Sequence, residues 1–387
     1  LYNIQVFNSI SDKGLEVING STIQVTQSQD PDGILLRSYN LHDKELSPNV
    51  KAVARAGVGV NNIPVDELTE RGIVVFNTPG ANANAVKELV MMSLIASSRH
   101  LFRAVEWTKT LQGESIPEVV EAGKKEFVGS EIAGKRLGVI GVGAIGVLVA
   151  NDALALGMEV VAFDPFISVN TAWQLSRDVR RAHSVDEIFQ TCDYITLHVP
   201  LTDETKGMLN EKAFKQMKPG VRILNFSRGE LVHEDDLEVA LEERIVSSYI
   251  TDFPNDKVVA MSNVVAIPHL GASTIESEEN CAYMAAKQLK EYLETGNIQN
   301  SVNFPQVFLP FYSHTRRVTV VHQNIPNMVG QITSILAKYS INIADMMNRS
   351  KGPWAYTLMD LDHDVENKEE IINRISEIEG VRKVRIL

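Results

Sequence analysis

The segment Gly141-Val142-Gly143-Ala144-Ile145-Gly146 constrains this chain more than any other, because it joins two patterns of different period. Before it, Lys135-Arg136-Leu137-Gly138-Val139-Ile140 reads as a buried parallel strand. After it, Val147 to Leu156 reads as a helix. In that setting Gly141 permits a tight turn, Gly143 lets backbone approach a pyrophosphate, and Gly146 lets helix and strand pack closely. The helix N-terminus then offers its unpaired N–H groups to the phosphates. Met158 to Phe163 reads as the next strand and ends at Asp164. An acidic residue there suits the two ribose hydroxyls of NAD and repels the extra phosphate of NADP. The first expectation is therefore a doubly wound α/β domain that binds NAD.

At 387 residues the chain has room for two or three domains. Its net charge is -12, and its basic clusters, Lys124-Lys125, Arg180-Arg181 and Arg316-Arg317, are only pairs. That balance excludes a nucleic-acid partner and requires any anionic ligand to be met by cations gathered in its site. The two cysteines, Cys192 and Cys281, lie in apolar surroundings and read as buried thiols. No leader opens the sequence and no run of about 18 apolar residues occurs, so a cytoplasmic protein without membrane contact is expected. No metal site is expected.

Around the nucleotide unit the chain divides further. Tyr2 to Phe7, Ile34 to Arg37, Lys51 to Gly57 and Ile73 to Phe76 read as strands of a smaller α/β unit that lacks its own glycine pattern. Helical spacing from Ala83 to about Leu111 predicts one long helix, and a second from Ile275 to about Leu293 returns the chain to the first unit. The later nucleotide-unit strands are Tyr194 to Val199, Arg222 to Phe226, Tyr249 to Asp252 and Val264 to Ile267. Asn and Pro break both periodicities from Gly296 to Phe311, which reads as a linker. Beyond it, strands and helices alternate as strand-helix-strand-strand-helix-strand, the ferredoxin-like order. The expected fold is two Rossmann-like doubly wound domains, 1–85 with 275–298 and 86–274. A linker, 299–315, and a βαββαβ domain, 316–387, complete it.

Hydroxy-acid chemistry at a nicotinamide needs a base for the hydroxyl proton, a cation for the carboxylate, and a group that sets the base's proton affinity. Pro268-His269-Leu270-Gly271-Ala272-Ser273 follows a strand and places His269 at its carboxyl end, where open sheets bind ligands. Asn225-Phe226-Ser227-Arg228-Gly229 likewise places Arg228. A core histidine is the ordinary alternative for His269 taken alone; the pair at separate strand ends favours a site.

These segments, with Arg55-Ala56-Gly57-Val58-Gly59-Val60-Asn61-Asn62, Asn77-Thr78-Pro79-Gly80-Ala81-Asn82 and Leu197-His198-Val199-Pro200-Leu201-Thr202, resemble the D-isomer-specific 2-hydroxyacid dehydrogenase family over nearly the whole chain. Its 3-phosphoglycerate-oxidising branch is the nearest in pattern. The resemblance implies that His269 accepts the proton and Arg228 holds the carboxylate while 3-phosphoglycerate becomes 3-phosphohydroxypyruvate, the first step of L-serine synthesis. It implies substrate contacts from Arg37, Arg55, and the backbone at Gly57 and Val58, with Lys124 or Lys125 for the phosphate or, equally, as a solvated loop. Around the cofactor it implies Gly141, Gly143, Ala144, Ile145, Gly146, Asp164, Val199, Pro200, Thr205, Phe226, Ser227, Asp252, Gly271 and Ala272, with Asp252 toward the nicotinamide end. One departure stands out. The family glutamate that bonds the catalytic histidine is missing from Ile250-Thr251-Asp252-Phe253-Pro254-Asn255-Asp256-Lys257. Asp256 takes its place if Phe253 is aligned, Lys257 if Asp252 is; the histidine then lacks its usual partner, uses Asp256 through a water, or relies on another carboxylate.

The carboxyl-terminal domain resembles an ACT domain, an amino-acid sensor. By that resemblance His322, Asn324 and Asn342 bind inhibitory L-serine between paired copies, and asparagine side chains supply the donors and acceptors that a zwitterion needs. A homo-oligomer, tetramer or dimer, follows. The alternatives are a dehydrogenase of a non-phosphorylated D-2-hydroxy acid, and a non-catalytic NAD-sensing interaction protein.

Overall fold

The computed structural model describes residues 1–20, 22–312 and 316–387. The last three linker positions expected, 313–315, lie outside the described residues. Two compact units result, Leu1–Asn82 with Glu278–Leu387, and Ala83–Ser277.

In the first unit five parallel strands, β1 (Tyr2–Val6), β2 (Ile23–Thr26), β3 (Gly33–Leu36), β4 (Ala52–Arg55) and β5 (Val74–Phe76), pair in the order β2-β1-β3-β4-β5. All four residues of β3 are buried, as expected of a parallel strand covered on both faces. Leu35, Ala54 and Phe76 pack against Ala285 and Leu289, while Ile34, Val53 and Val75 pack against Leu41 and Leu68. β2 and the short helix Asp12–Ile18 carry too little periodicity to be read from the sequence.

The second unit is built on seven parallel strands, β6 (Arg136–Ile140), β7 (Glu159–Phe163), β8 (Arg180–Arg181), β9 (Tyr194–Leu197), β10 (Val221–Asn225), β11 (Val246–Thr251) and β12 (Val264–Ala266). Their order, β12-β11-β10-β9-β6-β7-β8, reverses direction beside β6, which is where a doubly wound sheet binds its ligand. The single helix expected over Ala83 to Leu111 is corrected to two, α1 (Ala83–Ser98) and α2 (Leu101–Thr110). They part at His100, whose φ of 50° is left-handed and cannot continue a helix. A third helix, α3 (Ile116–Gly123), precedes β6; neither α2 nor α3 buries a residue. α4 (Ala144–Ala155) follows the glycine turn.

α5 (Ile275–Thr295) leads to a four-stranded antiparallel sheet, β13 (Arg316–Gln323), β14 (Ile343–Lys351), β15 (Trp354–Leu361) and β16 (Val381–Ile386), in the order β14-β15-β13-β16. With α6 (Met328–Lys338) and α7 (Lys368–Ser376) it has the expected βαββαβ succession. One face packs on those helices through Val318, Val320, Ile332, Met359 and Ile371. The other joins the core of the first sheet through Val321, Trp354, Tyr356 and Leu358.

The stretch read as a linker takes part in that packing. Phe304, Val307 and Leu309 are buried, and the Asn303 side chain accepts from the Val75 N–H at 2.9 Å and donates to Ile73 O at 2.9 Å. Asparagine here replaces a strand's backbone partners, so a composition typical of loops conceals an ordered segment.

Candidate active site

Parallel strands send their carboxyl ends to one edge, so the turns after β6, β9, β10, β11 and β12 lie side by side in sheet order. After β6, Gly141 has φ +91°, and a Cβ there would lie 2.5 Å from the His198 carbonyl oxygen. At Gly146 a Cβ would lie 2.0 Å from the Gly141 carbonyl oxygen, so both positions admit only glycine. Gly143 differs: a Cβ there would meet nothing within 4 Å. It opens the N-terminus of α4, where the N–H groups of the first turn, Ala144 to Gly146, lack helical acceptors.

The Asp164 carboxylate accepts N–H from Val142 and Phe166, each at 2.8 Å. Each oxygen keeps a second lone pair, enough for a ribose diol. An open glycine at a helix start and an acid at the end of the next strand together fit NAD.

Ser227 Oγ donates to Val199 O at 2.6 Å, and Thr205 Oγ1 to Pro200 O at 2.6 Å, so the turns after β9 and β10 are tied together over buried Phe226. Buried Asn225 shapes the second of these turns, donating to Arg228 O at 2.8 Å and accepting from Ser227 N at 3.1 Å. Arg228 itself is exposed.

After β12, exposed His269 lies with its ring centroid 4.8 Å from that of Phe253. A cleft of about 510 Å³ contains His269, Asp252, Phe253 and Gly229, with Glu230 and Glu234 at its wall. Asp252 is 1% exposed, and its Oδ2 accepts from the Gly271 N–H at 3.0 Å. Burial raises the proton affinity of Asp252, opposed by the Gly271 N–H and by the charges of His269 and Arg228. Ala272 is half-buried.

Asp256 does not line this cleft; it is exposed in the turn beyond. The chain leaves the sheet after Thr251 and runs outward, where Asn255 bonds Glu234, and Lys257 pairs with Asp235 and Glu238. Glu230 and Glu234 went unread in the sequence, although Glu230 lies only two residues beyond Arg228.

The expected substrate contacts of the first unit lie at its own carboxyl edge. Arg55 ends β4 and donates to Arg37 O at 3.0 Å; burial, then the Arg37 charge, make its guanidinium less basic than usual. Arg37 follows β3 and pairs with Glu278 at 2.7 Å. Gly57 has φ +157°, and Val58 is exposed, its carbonyl accepting from Asn77 at 2.7 Å. Lys124 and Lys125 open an exposed 3-10 turn of the second unit, where Lys124 pairs with Glu121.

In the terminal sheet His322 is buried, with Nδ1 2.8 Å from Gln323 O and Nε2 2.7 Å from Thr357 Oγ1. Asn324 is exposed beside it and donates to Gly352 O at 3.3 Å. Asn342 bonds Asp362 past the other end of β15. His322 pairs with Ala355 and Ile343 with Leu361, so roughly 20 Å of strand separates the two ends. Within one chain the three residues do not meet. Cys192 and Cys281 are buried and free, and burial pushes the Cys192 thiol up to about 11. Among the described residues no helix is long and apolar enough to cross a membrane.

A family model described as D-isomer specific 2-hydroxyacid dehydrogenase, NAD binding domain, matches residues 91–271. The chain is 34% identical over 310 residues to the D-3-phosphoglycerate dehydrogenase of Synechocystis sp., covering 78% of this chain but 54% of that one, so it spans about half the length of that relative. It is 30% identical over 360 residues to D-3-phosphoglycerate dehydrogenase 1 of Saccharomyces cerevisiae, covering 85% of this chain and 72% of the yeast protein. Among solved structures, NAD+-bound 3-phosphoglycerate dehydrogenase of Entamoeba histolytica superposes with a TM-score of 0.60 at 27% identity, covering 80% of this chain and 99% of that one. The glycine turn, the acid after β7 and the strand-end histidine and arginine thus stand in a chain that belongs to the D-isomer specific 2-hydroxyacid dehydrogenase family, with its NAD-binding domain in the second unit.

Proposed function

We propose that the protein oxidises 3-phospho-D-glycerate to 3-phosphohydroxypyruvate, the entry step of L-serine synthesis, and that L-serine inhibits it. The observation that carries this reading is the grouping of His269, Asp252 and the Arg228 turn on the edge of the sheet that also bears the Gly143 opening. NAD, when bound, supplies the acceptor for the hydride that leaves the substrate's second carbon. His269 takes the proton from the hydroxyl oxygen on that carbon, which becomes the keto oxygen, and its exposed ring gives the proton a path to water. Arg228 holds the carboxylate as a bidentate partner, helped by backbone N–H groups at Gly57 and Val58. Arg55 and Arg37, with Lys124 or Lys125, answer the phosphate's charge.

The terminal domain, read as an ACT domain, supports serine sensing in a specific form. Because His322 and Asn324 lie at one end of the sheet and Asn342 at the other, a serine gripped by all three takes residues from two copies. Leu101, Val105, Ile116 and Val119, exposed on α2 and α3, supply an apolar surface for pairing, consistent with a homodimer or homotetramer. One observation favours oxidation of a non-phosphorylated acid instead: Glu278 already engages Arg37.

The test is NADH consumption with 3-phosphohydroxypyruvate, 2-oxoglutarate and pyruvate, with and without L-serine. Preference for the phosphorylated acid and loss of rate on adding serine support the reading; preference for pyruvate overturns it. Asn342→Ala is expected to abolish serine inhibition while sparing turnover, and retained inhibition would remove Asn342 from the sensor.

A further inference from the structure

We propose that Asp252 is the positioning carboxylate of His269, filling in this chain the place of the loop glutamate it lacks. The inference rests on the reading of His269 as the proton acceptor.

Three observations converge on Asp252. It follows β11 directly, 1% exposed, and its Oδ2 takes the Gly271 N–H at 3.0 Å, two residues from His269. It therefore anchors the turn that presents the imidazole. Its Oδ1 is buried with no hydrogen-bond partner. Leaving a carboxylate oxygen unpaired in a dry site is costly, and such orphans persist where a ligand or reacting group completes them. Finally, Asp252 shares a cleft with His269, whose ring packs on the adjacent Phe253.

The other carboxylates of the region are engaged or displaced. Glu234 accepts from the Asn255 amide at 2.6 Å. Glu230 is exposed at the cleft wall, and Asp256 is exposed in the outer turn. The groups that set the field on Asp252 within this unit are His269 and Arg228, both cationic or able to become so. An ionised Asp252 favours the imidazolium that forms when His269 accepts the hydroxyl proton, and the Gly271 bond holds the ring in place while it does so.

Asp252→Asn tests this, because the amide keeps an oxygen for the Gly271 N–H while the charge is lost. Two readouts are compared, NMR titration of the His269 ring in the free enzyme and the pH profile of kcat/KM for keto-acid reduction. In the Asn variant the ring's titration midpoint is expected about one pH unit lower, and the alkaline limb of the reduction profile moves down with it. Asp252→Ser, which leaves a neutral acceptor in less volume, gives the same direction should the Asn variant fail to fold. A midpoint that stays in place in both Asp252 variants, or that moves in Asp256→Asn or Glu234→Gln instead, overturns the proposal. A lower midpoint in a protein that turns over none of the tested keto acids upholds Asp252 and defeats the substrate reading, so the two failures are separable.

Discussion

Arg228 and Arg317 are the same residue type in opposite conditions. Arg317 is fully buried and grips both oxygens of Asp360, with Nη2 to Oδ2 at 2.8 Å. It also donates to Thr295 O and Pro310 O at 2.8 and 2.9 Å, and covers the Phe311 ring. Arg228 is exposed, and among the described residues its guanidinium bonds only the carbonyl oxygen of Ser227. The two aspartates divide the same way, Asp360 bound at both oxygens and Asp252 with one oxygen bare. A polar group whose valences are filled inside the chain holds structure together; one left open, at the edge of a parallel sheet, is available to a ligand.

The filled set also explains how the terminal sheet is held against α5 within the first unit. Arg317 takes a carbonyl of the last turn of α5, and Arg385 takes two more, those of Tyr292 and Leu293. Cations at a helix carboxyl end satisfy orphan carbonyls and the helix dipole together.

The contrast can be broken from its filled side. Arg317→Met leaves Asp360 partly buried and unpaired, and is expected to cost about 3–5 kcal/mol of stability in urea unfolding. Turnover per folded molecule should survive; an unchanged midpoint would show the clamp to be idle.

Lys383 makes a milder version of the same test. Burial, then the charges of Lys51, Arg385 and Arg71, push its ammonium down to about 8, below the free value of about 10.4. Between those two values the unfolded chain binds more protons than the folded one, so stability rises with pH across that window. Lys383→Met removes this rise. The stability of the unaltered chain relative to the variant should therefore rise by about 2 kcal/mol from pH ~8 to pH ~10.5, and a difference that stays constant would contradict the burial argument.

The open side is sharpened by Gly143→Ala. Because its Cβ meets nothing, the melting temperature should hold, while NAD binds at least about tenfold more weakly through lost phosphate approach. Equal NAD affinity would move the pyrophosphate elsewhere.

What could be read in the sequence follows the same division. Strands of a doubly wound sheet are apolar runs, so β6, β7 and β9 and the turn glycines declared themselves, and His269 and Arg228 were legible because each ends such a run. The Asp252–Gly271 bond was not, since it joins turns 19 residues apart and depends on which way Asp252 faces as β11 ends. Nor was the packing of 299–312, where Asn303 substitutes for strand partners, or the break at His100, which leaves the helical periodicity of α1 and α2 nearly in phase. The separation of Asn342 from His322 follows from the length of β15, which residue spacing alone does not convey.

On the proposed reading, the open pair at the sheet edge does the chemistry. Its most direct test is the steady-state oxidation of NADH by 3-phosphohydroxypyruvate in the unaltered chain, His269→Ala and Arg228→Gln, with folding checked by the melting temperature. Melting is expected to be unchanged, with loss of kcat by about a thousandfold or more without the imidazole, and a rise in KM together with a fall in kcat without the guanidinium. Turnover that persists in His269→Ala at the unaltered rate would contradict that reading.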